Sequence, residues 1–208
     1  LPSTASILSG MDPLRHGLVD GKTAFLAYED TTIAEVCRAA GMRTVALIAN
    51  PILSPGHNYW QGFQEYHEKY NEPGINLIED AREWIEEQDD SRFFLYLHLF
   101  DPHKPYFPME PYIEQLSQSP PPGYRPGIVV EMMKSLYEGG EVDGEVLEQY
   151  IAHESDKYDA EIAGCDAAIG DLFAALDELS IRDRTLVAIT SDHGEAFGEH
   201  GLLEHSDH

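Results

Sequence analysis

The chain has 208 residues and 42% apolar side chains, enough for one substantial α/β domain or a large part of a bigger one, with a real core and too apolar for disorder. Thirteen Lys and Arg against 38 Asp and Glu leave a formal net charge of −25, which repels nucleic-acid phosphates and anionic membranes and argues against roles built on either. The longest apolar runs fall well short of the roughly 20 residues a membrane helix needs, so no span is expected.

In chain order, LPSTASILSG predicts a short helix, with Pro2 and Ser3 as start residues and Gly10 as the stop. TTIAEVCRAAG predicts a second, capped by Thr31 or Thr32, striped by Ile33, Val36, Cys37 and Ala40, and ended by Gly41. MRTVALIAN follows as a buried strand closing at Asn50-Pro51. INLIEDAREWIEEQ is a helix with Leu77, Ala81, Trp84 and Ile85 on one side. SRFFLYLHLF is an apolar strand that runs into DPHKPYFP, which its prolines keep irregular. Residues 115–148 are rich in Pro, Gly and acidic residues and read as an insertion or lid rather than core. From about Glu148 to Leu179, Tyr158, Ile162, Cys165, Ile169, Leu172 and Leu176 repeat at helical spacing as one face. TLVAIT, residues 185–190, reads as a buried strand leading into SDHGE. There is no internal repeat, and Cys37 and Cys165 read as buried free thiols rather than a disulfide. The abrupt start at Leu1 suggests that sequence precedes it.

Helices alternating with near-continuous apolar strands imply an α/β fold, a mostly parallel sheet sandwiched between helices. In such folds sites form at the carboxyl ends of strands. Two predicted strands end in polar loops, one at Asp101-Pro102-His103 and one at Ser191-Asp192-His193.

Asp192 and His193 supply a carboxylate and an imidazole, a donor pair suited to a divalent metal, and Gly194 lets the backbone turn beside them. The competing reading is a surface turn with a capping Asp. His103 is placed to donate to a substrate oxyanion or protonate a leaving group, and Lys104 adds a cation that equally suits solvent. His205 suits a cationic contact or general acid. His200 is a further substrate-binding candidate, and Glu195 suits orientation of a ligand histidine. His98 reads as a satisfied core or pocket-edge histidine, and His208 as a frayed end. A protein this acidic would also repel an anionic substrate, unless a metal or local cationic pocket reverses the potential.

TSDHGEAFGEHG after an apolar run resembles the metal motif of the sulfatase family, within the alkaline-phosphatase-like superfamily. LPSTASILSG resembles the family signature at Pro2, Ser3, Ser9 and Gly10. TTIAEVCRAAGMRTVALIAN resembles its helix and strand, FDPHKPY its P-H-x-P-Y loop, and KYDAEIAGCDAAIGDLFAAL its long helix, so the likeness runs along nearly the whole chain.

The resemblance implies an alkaline-phosphatase-like α/β fold and a divalent metal (Ca, Mn or Zn) held by Asp192, His193 and acids of an upstream strand. It sets the nucleophile two residues before Pro2, and maps His103 and His205 onto contacts to the sulfuryl or phosphoryl oxygens. Thr4 stands where the signature commonly carries the Arg associated with formylglycine formation, which leaves room for an unmodified Thr or Ser. The implied activity is metal-dependent hydrolysis of sulfate monoesters on a small molecule or carbohydrate. The alternatives are a phosphomonoester, phosphodiester or phosphonate hydrolase or a phosphoryl transferase on the same scaffold, and a non-catalytic degenerate member or fragment.

Overall fold

The computed structural model describes residues 1–19, 25–88, 91–117 and 119–205. The chain divides into two compact units, residues 1–100 with 168–192, and residues 101–167 with 193–208.

In the first unit, β1 (Arg43–Ile48) lies at the centre of a parallel three-stranded sheet, with β2 (Glu65–Glu68) on one side and β3 (Phe93–His98) on the other. Alternate residues of β1 enter two different apolar clusters, because successive side chains of a strand point to opposite faces. Val45 and Leu47 pack with Leu77, Ala81, Trp84 and Ile85 of α4 (Gly74–Glu86) and with Ala168, Leu172 and Leu176. Ala46 and Ile48 pack with Ala5 and Leu8 of α1 (Pro2–Ser9), Ala34 of α3 (Ile33–Ala39), Tyr59 and Phe63. The expected parallel sheet with helices on both faces is therefore present. A further short helix, α2 (Pro13–His16), is capped by Asp12.

The cap of α3 is a reciprocal pair. Thr32 Oγ1 accepts the Glu35 amide at 3.2 Å while Glu35 Oε2 accepts the Thr32 amide at 2.9 Å. Thr32 also donates to the Gln61 carbonyl at 2.9 Å. This anchor sets the rotation of the short helix, and it turns Ala34 inward. Ile33 and Val36, expected in the apolar stripe, are 45% and 58% exposed. The polar strand β2 has no apolar alternation and was not expected from the sequence; its pairing with β1 gives it its form.

The segment 185–190 corrects an expectation. It forms no ladder among the described residues, and Leu186 and Ile189 are 96% and 62% exposed, although Val187 packs against the first cluster. An apolar run becomes a buried strand only where a neighbouring strand and a covering layer meet it. β3 itself is half-buried along its whole length.

The second unit holds α5 (Tyr112–Leu116), α6 (Ile128–Tyr137), most of α7 (Gly144–Glu178) and a two-stranded antiparallel ribbon of β4 (Ala196–Phe197) and β5 (Leu203–Glu204). Val129 of α6 is buried with Leu147 and Tyr150 of α7, so part of the Pro- and Gly-rich stretch is helical and packed. On α7, Leu172 and Leu176 of the expected face are buried and Tyr158, Cys165 and Ile169 half-buried, but Ile162 is 42% exposed while its neighbour Glu161 is 6% exposed. Both cysteines are free and half-buried, as thiols rather than a disulfide.

Candidate active site

The second unit contains an open groove of about 470 Å³ lined by His103, Lys104, Pro105, Gly127, Glu195, Glu204 and His205. His103 and Lys104 come from the loop after β3, and Glu195, Glu204 and His205 from the ribbon and its flanks. Residues a hundred positions apart in sequence thus share one wall.

His103 and His205 meet edge to face, with ring centroids 5.2 Å apart. His193 stacks on His205 at 4.1 Å and an interplanar angle of 29°. The hydrogen bonds assign the ring protons. His103 Nδ1 lies 2.6 Å from the Lys104 carbonyl and His193 Nδ1 lies 2.9 Å from the Gly194 carbonyl. A carbonyl only accepts, so Nδ1 carries hydrogen in both. His205 Nδ1 donates to Glu195 Oε1 at 3.1 Å.

Glu195 is the hub of this wall. Its side chain is 4% exposed, and its second oxygen accepts the Tyr106 hydroxyl at 3.1 Å. Burial, reinforced by the Glu195 carboxylate, pushes the Tyr106 phenol up, so it stays a donor. Lys104 Nζ pairs with Glu204 at 3.1 Å. Glu195 therefore orients His205, whereas the sequence suggested a ligand histidine. Tyr106 was visible in the sequence only as the end of P-H-x-P-Y. Nothing local identifies it as the partner of a residue 89 positions away.

The other candidates are placed as follows. His200 is exposed in a turn at φ 58° and does not line the groove. Asp192 is half-buried and belongs to the first unit, where its charge acts on Tyr96 and His98. Burial pulls the His98 imidazole down, with Asp192 opposing. The Leu1 carbonyl accepts the Tyr59 hydroxyl at 2.7 Å, which fixes the start of α1. His98, expected as a satisfied core or a pocket-edge histidine, has its Nδ1 buried without a hydrogen-bond partner among the described residues, which speaks against the first of the two. In the same unit, His16 is buried and passed over by sequence reasoning. Its Nδ1 accepts the Leu18 amide, so its Nε2 donates to Ser6 Oγ at 3.0 Å. His208 lies outside the described residues.

For a divalent metal, the donor types fit. Asp192 offers hard oxygen, and His193 offers a nitrogen whose partner Nδ1 is already engaged by a carbonyl, as in many metal-bound histidines. Two donors are fewer than a divalent ion takes, and no group of three or more His, Cys, Asp or Glu among the described residues is arranged to hold one.

A family model described as Sulfatase matches residues 1–208. The chain is 25% identical over 233 residues to the ulvan-active sulfatase of Formosa agariphila, across 95% of this chain and 41% of that protein. A solved protein in complex with its substrate D-glucosamine-2-N,6-O-disulfate superposes with a TM-score of 0.70 at 16% identity, covering 98% of this chain and 57% of that one. The phosphonate monoester hydrolase of Agrobacterium radiobacter superposes with a TM-score of 0.74 at 19% identity, covering 97% and 54%. The chain spans less than half the length of the curated relatives it matches.

Proposed function

This chain belongs to the sulfatase family, and on that premise we propose that the protein containing it hydrolyses sulfate monoesters of a small molecule or carbohydrate. The observation that carries the reading is the convergence of His103, Lys104 and His205 on one groove. Glu204 and Glu195 pair with Lys104 and His205 in that groove, so the positive potential an ester anion requires in this acidic chain would come from protonation of the imidazoles together with a bound divalent ion.

In this reading Lys104 and the two imidazoles donate to the non-bridging oxygens as charge builds on them, and His103 or His205 delivers a proton from Nε2 to the departing alcohol. Each ring donates from Nε2 only when doubly protonated, and Glu195 and the Lys104 carbonyl, by accepting from Nδ1 of His205 and His103, stabilise that charged form. Asp192 and His193 would hold the divalent ion implied by family membership, whose charge, when bound, favours the anionic group and an ionised nucleophile. The disulfate bound to the structural neighbour supports a sulfated sugar as the substrate class. Residues 115–148 supply Gly127 to the groove, which fits a lid that contacts the alcohol or sugar.

A second reading, phosphate or phosphonate ester hydrolysis, is favoured by Thr4 in place of the signature Arg and by His205 where many sulfatases carry Lys. Turnover of p-nitrophenyl sulfate, p-nitrophenyl phosphate and a p-nitrophenyl phosphonate monoester by the full-length protein separates the two. The expected result is highest kcat/KM on the sulfate, abolished by chelator and by Asp192→Ala. Preference for either phosphorus ester would install the second reading. Activity indifferent to both chelator and Asp192→Ala would remove the metal role.

A further inference from the structure

The loop that carries His103 and Lys104 is held at both ends by one face of α7. At its far end the Phe107 amide donates to Glu161 Oε1, and at its near end Cys165 Sγ donates to the Asp101 carbonyl at 3.4 Å. Glu161 and Cys165 stand four residues apart, so both project from the same side of the helix. Between these ties the chain is a short arch, with His103 and Lys104 near its crown and Tyr106 bonded to Glu195.

Glu161 is an unusual residue to bury for stability alone. It is 6% exposed, and its Oε2 is buried with no hydrogen-bond partner among the described residues. An apolar residue of similar size would avoid that cost. The charged or titratable groups around it are Asp101 and Tyr106 on the loop and Lys157 and Cys165 on α7. Burial lifts the Glu161 carboxyl to about 7, and burial with Asp101 and Glu161 lifts the Cys165 thiol to about 12. Cys165 therefore remains a thiol, able to donate, rather than a reactive thiolate.

We propose that Glu161 is a positioning residue for the active loop. By accepting the Phe107 amide while Cys165 ties down Asp101, it fixes the arch that presents His103 and Lys104 to the ester. The acceptor oxygen is what matters, so a glutamine amide serves in its place. Misplacing a catalytic group by about 1 Å can cost up to about a hundredfold in rate, which makes such a tie functionally visible. The proposal rests on the reading of His103 and Lys104 as substrate contacts, but its first readout does not.

The test compares wild type, Glu161→Gln and Glu161→Ala in the full-length protein. Amide exchange is followed in peptides covering residues 101–108, and kcat and KM are measured on the best p-nitrophenyl ester. Glu161→Ala is expected to lose loop protection at least about tenfold and to lower kcat about tenfold, with KM within about threefold. Glu161→Gln is expected to keep protection and kcat within about threefold of wild type. The proposal is overturned if Glu161→Ala leaves loop exchange unchanged, or if exchange rises equally throughout the second unit. It is also overturned if Glu161→Gln falls as far as Glu161→Ala. If wild type turns over no ester, the functional reading fails, while the exchange comparison still decides the tie.

Discussion

The bond between Tyr106 and Glu195 gives the sharpest energetic test of the groove's construction. Tyr106 is 3% exposed, and its hydroxyl donates to a carboxylate whose side chain is 4% exposed. Glu195→Ala removes the acceptor and strands a buried hydroxyl. His205, 30% exposed at its side chain, can turn to water and recover most of its own loss. A hydrogen bond to a charged group contributes about 1.5–3 kcal/mol and a stranded buried donor costs about 1–3 kcal/mol, so the expected destabilisation is about 2–4 kcal/mol. Tyr106→Phe alone should cost less, about 1–2 kcal/mol, because ring packing survives. Urea unfolding of wild type, both single variants and the double variant closes a thermodynamic cycle. The expected coupling is about 1.5 kcal/mol, and a value below about 0.5 kcal/mol would refute the claim that this bond organises the wall.

Thr32→Ala removes the cap of α3 and its bond to Gln61, and should lower unfolding free energy by about 1–2 kcal/mol in a denaturant titration. Gly62 sits at φ +90° with the Glu35 amide nitrogen 2.4 Å from where a Cβ would stand, so Gly62→Ala should cost several times the roughly 1 kcal/mol of an ordinary strained glycine site and deplete soluble protein on expression. Burial raises Glu161 from near 4.5 to about 7, so the native state holds an extra proton in that window and its stability falls as pH rises through it. Relative to Glu161→Gln, wild type should lose on the order of 2–3 kcal/mol between those pH values, and parallel stability–pH curves would show that the carboxyl titrates normally.

Much of the framework was legible locally. Pro2 and Gly10 bracket α1, Thr32 and Glu35 form a cap readable from their spacing, and the apolar runs at 43–48 and 93–98 give two parallel strands. These signals act over a few residues, through backbone geometry and capping bonds, so no knowledge of the rest of the chain is required. Residue type marked His103, Lys104 and His205 as candidates, the first two in the loop after an apolar strand, and the groove gathers all three.

Tertiary structure decided the phase of the helices and the identity of the partners. α7 buries Glu161 rather than Ile162, because the amide it meets belongs to Phe107, 54 positions away. His205 takes Glu195 and stacks on His193, while His200, only five residues earlier, stays exposed outside the groove. The apolar run at 185–190 forms no ladder, since strand formation depends on a neighbour and not on composition alone. Periodicity specifies that a helix or strand can form. Which side it buries, and which distant carboxylate steadies which imidazole, is decided when segments far apart in sequence pack together.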